Sequence, residues 1–257
     1  MNPQPDTLKN LLEEKSRQYN SPAFIEHDPI QIPHLFGDSE NIEISGFLVS
    51  MLAWGRRDII IRNTRELIRR MDNRPIHFLK NMDESDLKVF NNFRHRTFNA
   101  EDCIFLIRSL HRIYKYGKGL YPVFLDGYLR RNSIKDAIMN FREEFLKTDH
   151  KERSRKHLAD PSRGSAAKRI NLFLRWMVRR DTNGVDFGIW DGIDPADLFI
   201  PLDIHTGNVA RQLGLLKRKQ NDWKAVEELT GVLRKFDPAD PIKYDYALFG
   251  MGVFENM

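Results

Sequence analysis

Cysteine is almost absent: the 257 residues contain one, Cys103. A single thiol excludes an internal disulfide and an iron–sulfur cluster held by several thiolates. The sequence also lacks the Cys/His spacing of a structural zinc site, so no metal is expected. Cys103 falls in the apolar run Cys103-Ile104-Phe105-Leu106-Ile107, which predicts a small buried residue rather than a reactive thiol. Long hydrophobic runs are missing too. No stretch approaches a membrane-spanning length and no positively charged apolar leader opens the sequence, so a cytoplasmic protein with no membrane partner is expected. Period-two alternation is scarce, and no Asn-Gly or Asp-Gly pair stands between two β-like runs. There is no internal repeat and no heptad array. Glu143 and Glu144 have no partner spacing that suggests a carboxylate dyad.

What remains is a helical pattern. With 41% hydrophobic residues the chain can bury a substantial core, as one or two domains. Phe47, Met51 and Trp54, with Leu48 and Leu52, recur at three- and four-residue steps, as do Cys103, Leu106, Ile107, Leu110 and Ile113. Phe124, Leu125, Tyr128 and Leu129 predict another helix, and Ile134, Ala137, Ile138, Phe141 and Phe145 a further one. The expected fold class is all-α: a single domain over residues 1–257 with two helical lobes. Pro22, Pro29, Pro33, Pro75 and Pro122 divide the helices. Residues 150–163 and 181–201 read as loops on either side of one helix, expected from Ser165 to Arg180.

The charge is unevenly placed. The whole chain has 41 Lys+Arg against 36 Asp+Glu, a net +5. Between Lys151 and Arg180 stand ten basic residues and two acidic ones, a local excess of +8. Such a run fits a polyanionic partner; a solvated loop and helix face would look the same.

Two residues in this region could do chemistry. Lys168 precedes the apolar stripe Ile170, Phe173, Leu174 and Met177, which places it in the first turn of its helix. The positive end of a helix dipole disfavours the ammonium form and so favours a nucleophilic amine. A surface lysine in a basic helix is the plainer alternative. Asp203, in Pro201-Leu202-Asp203-Ile204-His205, is placed to cap the next helix. Capping alone would account for it, and a carboxylate fixed there could also stabilise an oxocarbenium-like centre. His205 could bond a phosphate or orient Asp203, or be structural. Trp54-Gly55-Arg56-Arg57, read as a helix end, and Phe93-Arg94-His95-Arg96-Thr97-Phe98 combine aromatic with basic residues, as nucleic-acid surfaces do. A core tryptophan with a surface arginine pair is the plainer reading of the first, and amphipathic helix ends would look the same as the second. Trp176 reads as the edge of the core.

The pair Gly164…Lys168 and Pro201-Leu202-Asp203-Ile204-His205 resembles the core of the helix-hairpin-helix DNA glycosylases, nearest the 8-oxoguanine glycosylase branches. Lys168 with Phe173-Leu174-Arg175 is similar to their lysine helix. The tail Tyr244-Asp245-Tyr246-Ala247-Leu248-Phe249-Gly250-Met251-Gly252 is similar to their last helix. The specific likeness covers roughly residues 160–252, and the chain as a whole resembles an uncharacterised bacterial family placed beside these enzymes. Two features depart from the pattern. The hairpin Asp160-Pro161-Ser162-Arg163-Gly164-Ser165-Ala166-Ala167-Lys168 has one glycine, and Lys168 and Asp203 are 35 positions apart.

The resemblance implies a two-lobed bundle of this glycosylase type, with the Lys/Asp region over residues 160–216 and a cleft holding Lys168 and Asp203. It implies a DNA glycosylase and abasic-site lyase acting on duplex DNA with a damaged base, best an oxidised purine such as 8-oxoguanine, without a cofactor. Lys168 and Asp203 would be catalytic. Arg163, Gly164, Ser165, Arg169, His205, Arg56 and Arg57 would bind the nucleic acid. Phe187 and Trp190 would line the base pocket or cover the core. No obligate protein partner is evident. The alternatives are a non-catalytic DNA- or RNA-binding protein that keeps this fold, and a helical protein-interaction module.

Overall fold

The computed structural model describes residues 5–255 and 257, and among them every regular element is helical. The chain divides into two compact units, one made of residues 1–27 and 160–257, the other of residues 28–159.

The first unit begins with α1 (Pro5–Tyr19) and α2 (Pro22–His27). The chain then builds the whole second unit: α3 (Ser39–Leu52), α4 (Arg57–Arg69), α5 (Pro75–Asn81), α6 (Ala100–Tyr116), α7 (Leu120–Arg131) and α8 (Ile134–Leu146). It returns to the first unit with α9 (Lys168–Val178), α10 (Ile204–Gln212), α11 (Trp223–Phe236) and α12 (Tyr244–Phe254). Short 3-10 turns occupy several of the connections.

In the second unit α3 is buried on every side, as expected of a helix apolar all round. Asp38 caps its start, accepting the Asn41 N–H at 2.9 Å. Phe47 meets the edge of Phe141 at 5.5 Å, and Phe141 stacks on Phe124 at 4.6 Å, tying α3 to the α7–α8 hairpin. Asn99 and Asp102 form a reciprocal capping box at the start of α6. Cys103 is fully buried, and burial pushes its thiol above the ordinary range.

In the first unit α12 is the helix around which the others pack. Its sequence is apolar apart from Asp245, and it lies against α1 and α10. Gly250 has no side chain where the Tyr19 ring of α1 crosses it; a Cβ there would overlap the ring. Gly252 similarly lets α10 approach, a Cβ standing 3.0 Å from His205 Cβ. Trp176, Trp190, Tyr244 and Tyr246 are completely buried.

Several sequence expectations need correction. The helix carrying Lys168 is shorter than Ser165–Arg180. Ala167 is left-handed, with φ +49°, and Arg179 is extended, so neither end continues the helix. Trp54 lies beyond α3, which stops at Leu52. Leu129, placed in the apolar stripe of α7, is 65% exposed. Trp176 is core rather than core edge.

Candidate functional site

Lys168 is the first residue of α9, and its side chain is about one-third exposed. Asp203 caps α10: its Oδ1 accepts the Thr206 N–H at 2.9 Å, which satisfies one of the orphan donors of the first turn. The other oxygen, Oδ2, stands 3.9 Å from Lys168 Nζ. Asn221 holds the same residue from behind, donating from Nδ2 to the Asp203 carbonyl at 3.0 Å. An amine and a carboxylate 35 positions apart thus face each other at the starts of two helices, within ion-pair range but beyond a direct hydrogen bond.

A third ionisable group belongs to this site and was not singled out from the sequence. Asp245, in the first turn of α12, is buried, and both Lys168 and Asp203 act on it electrostatically. Burial is the main cause that raises its carboxyl to about 6. Arg175 and Lys168 pull it down, and Asp203 pushes it up. Its Oδ2 accepts from Arg175 Nη1, while its Oδ1 is buried with no hydrogen-bond partner. A sequence signal existed: Asp245 is the single acid in an otherwise apolar helix. Likewise Lys168, Asn171 and Arg175 follow i, i+3, i+7 spacing, a polar stripe beside the apolar one.

That stripe leads into a buried ion network. Arg175 Nε bonds Asp186 Oδ1 at 3.3 Å, and Arg179 Nη1 bonds Asp186 Oδ2 at 2.8 Å. Arg179 also bonds Asp240 at 3.0 Å and Asp181 at 3.3 Å, and the Tyr246 hydroxyl donates to Asp186 at 2.9 Å. The Arg175 guanidinium lies over the Tyr246 ring at 4.2 Å. Two guanidiniums therefore face four carboxylates. Asp240 is raised along with Asp245, burial being the largest cause and Asp186 a further one.

Two members of the basic run, Arg175 and Arg179, are thus fully committed inside the first unit. Lys151, Arg153 and Arg155 pair with Glu101, Asp102 and Glu152 in the second. With Lys168, six of the ten basic residues of this run stand against carboxylates.

The segment before Lys168 is a turn closed on itself. Asp160 caps a 3-10 turn at Pro161–Arg163, its Oδ1 accepting from Ser162 Oγ at 2.5 Å and from the Arg163 N–H at 3.3 Å. Gly164, with φ +90°, donates its N–H to the Pro161 carbonyl, and Ser165 donates to that of Asp160. Trp223 donates to the Gly164 carbonyl at 3.0 Å, pinning the turn to the start of α11. The Arg163, Gly164 and Ser165 N–H groups are accordingly used within the turn, while the Arg163 and Ser165 side chains are exposed. Arg169 follows Lys168 and is partly buried; desolvation lowers its guanidinium to about 10, which leaves it charged at neutral pH. His205 is exposed on the first turn of α10. Arg56 and Arg57 belong to the other unit, where Arg56 pairs with Asp58 at 2.8 Å and Arg57 opens α4.

Residues 181–201 cover the core. Phe187 and Trp190 donate their N–H groups to the Trp176 and Met177 carbonyls at the end of α9, and Trp190 meets the edge of Phe173 at 5.3 Å. Among the described residues no cluster of His, Cys, Asp and Glu could hold a metal ion, and no helix is long and apolar enough to cross a membrane.

No curated protein and no solved structure matches the chain. The model of one family, described as a protein of unknown function (DUF2400), matches residues 28–254, and the chain belongs to that family.

Proposed function

We propose that the protein is a DNA glycosylase with abasic-site lyase activity, acting through Lys168 and Asp203 on an oxidised purine, 8-oxoguanine being the first substrate to try. The observation that carries this reading is the 3.9 Å approach of the amine to the carboxylate, each at the start of its helix and each partly exposed to an incoming substrate. The resemblance of these same residues to the helix-hairpin-helix glycosylases supports it, and so does the all-α architecture.

The damaged nucleotide is flipped from the duplex, at a cost of a few kcal/mol that is least for a weakly stacked lesion. Asp203 takes a proton from the Lys168 ammonium after a small approach of the two side chains. The Lys168 nitrogen bonds to C1′ as the C1′–base bond breaks, and the base leaves with the bonding pair and is protonated. Transfer of that proton from Asp203 to the leaving base restores the carboxylate, which stabilises the positive charge that develops at C1′. Opening of the sugar ring gives a Schiff base; loss of a C2′ proton then expels the 3′ phosphate and cuts the strand. Asp245 sets the local charge: ionised, it holds a negative charge beside the pair, and protonated, it removes one.

Two further buried polar atoms without partners, Asn171 Oδ1 on α9 and Thr206 Oγ1 on α10, lie on the helices that carry the pair. Orphaned polar groups of this kind call for water or a polar ligand.

A second reading has an observation in its favour. The Lys168–Asp203 ion pair joins α9 to the start of α10 without any chemistry, as it would in a non-catalytic DNA- or RNA-binding protein. Incubation with 8-oxoguanine and abasic-site duplexes separates the two. Strand cleavage and a borohydride-reduced covalent adduct, both lost in Lys168→Gln, are expected for the lyase. Binding with neither cleavage nor adduct on either duplex would favour the binding protein.

A further inference from the structure

The two aromatic and basic segments of the second unit, far apart in sequence, meet in space. The His95 ring Nε2 lies 3.2 Å from the Trp54 carbonyl, 41 positions away, and the ring stands edge-on to the indole at 4.7 Å. His95 and Phe98 exchange backbone hydrogen bonds of 2.8 and 2.9 Å, closing a tight turn with Arg96 and Thr97 at its tip. Both flanking rings are buried, so the tip is held rigidly while its two residues are exposed. Arg96 has φ +55°, a left-handed conformation that is unfavourable for a residue with a Cβ. Its guanidinium lies across Gly55, where a Cβ would stand 2.7 Å from Nη1. An arginine therefore occupies a position that glycine would hold at lower cost, and the neighbouring loop leaves room for its head group.

Beside this turn opens a groove of about 640 Å³. Arg94, Arg96, Arg153 and Lys156 line it together with the amides of Asn91 and Asn92, and no aspartate or glutamate does. Arg153 is fixed in place, donating to Asp102 at 2.7 Å, to Asn99 Oδ1 at 2.9 Å and to the Thr97 carbonyl at 3.1 Å. The buried Asp102 offsets that one charge. Arg94, Arg96 and Lys156 form no ion pair among the described residues, and all three are exposed. A lone phosphate would leave most of such a groove empty. A row of uncompensated cations with neutral amides suits an extended phosphodiester chain, because guanidiniums fork onto phosphate oxygens and amides bond phosphate or sugar.

We infer that this groove is a nucleic-acid contact in its own right, taking the phosphodiester backbone of a DNA strand on Arg94, Arg96 and Lys156. It uses none of the Lys168 and Asp203 chemistry and stands without it.

The test is the salt dependence of binding. The full-length protein is titrated into a fluorescent, undamaged duplex over a range of salt, with the wild type compared with the Arg96→Gly/Lys156→Gln double variant. Glycine suits the backbone at position 96, so the variant is expected to fold, which circular dichroism checks. Arg94→Gln provides a second variant if it does not. Losing two phosphate contacts should weaken binding at least about tenfold at low salt and reduce the slope of log affinity against log salt by about 2. Unchanged affinity and slope would overturn the inference. So would inorganic polyphosphate that displaces the duplex as well as competitor DNA of equal charge does. Borohydride trapping on an abasic duplex, run in parallel, keeps the two readings apart. A wild type that traps nothing but shows the groove effect loses the lyase reading alone. A wild type that traps normally with an unchanged slope loses the groove alone.

Discussion

Burial, more than the opposing pulls of Lys168 and Asp203, lets Asp245 keep its proton up to a pH of about 6. The unfolded chain releases that proton near 3.8, so the folded state binds it more tightly. Stability therefore falls, through this group, as pH rises between roughly 4 and 6, by on the order of 3 kcal/mol. Asp245→Asn removes that dependence. Denaturant melts at pH 4 and pH 7 should show the variant gaining on the wild type as pH rises, whatever it loses with the Arg175 bond. If Lys168 and Asp203 carry out the chemistry, the wild-type pH–rate profile should also show an inflection near 6 that the variant lacks. Arg175→Ala leaves Asp245 buried without a guanidinium and Asp186 with Arg179 alone, and should cost about 3–5 kcal/mol in a chemical melt. A loss below 1 kcal/mol would mean the network is looser than its distances imply. Arg175 was legible only as a basic residue, because its partners lie 11 and 70 positions away. Asp203 was legible as a cap, because capping is a local pattern.

At the level of elements, α10 separates capping from chemistry. Asparagine caps a helix about as well as aspartate, whereas alanine does not. Asp203→Asn should keep stability within a few tenths of a kcal/mol of wild type, apart from the modest worth of the part-exposed ion pair. Asp203→Ala should lose about 1 kcal/mol more. Both should lose strand cleavage. Cleavage retained by Asp203→Asn would show that the carboxylate serves the helix alone. Five helices, α3, α6, α7, α8 and α9, were readable from the three- and four-residue spacing of their apolar residues. The errors came where backbone conformation overrides that pattern. Left-handed Ala167 delays the start of α9 from Ser165 to Lys168, which keeps the amine in the first turn, on the first helical residue. Trp54 continues the apolar stripe of α3, yet the chain has already left the helix to set that ring against His95.

On the scale of the molecule, composition identified the class and misjudged the charge. A count along the chain gives a strongly basic stretch from Lys151 to Arg180, but folding pairs six of those ten residues with carboxylates and partly buries Arg169. Both the discontinuous first unit and the pairing of its charges depend on contacts remote in sequence. The family match begins at residue 28, whereas α1 supplies Leu8 and Leu12 to the first unit, and the Tyr19 ring lies against Gly250 of α12. Removal of residues 1–27 exposes the apolar side of α12 that α1 covers. The truncated protein is expected to lose the cooperative unfolding of the first unit and to bind a hydrophobic dye; a melt like that of the full chain would contradict this.

As the proposed nucleophile, Lys168 must form a covalent bond to the sugar. The most direct test is to reduce the wild-type complex with an abasic duplex using borohydride, digest it, and locate the nucleotide adduct by peptide mass spectrometry. Attachment at Lys168, absent from Lys168→Gln protein whose stability is within about 1 kcal/mol of wild type, is the expected result. Attachment at another lysine, or no adduct at all, would contradict it.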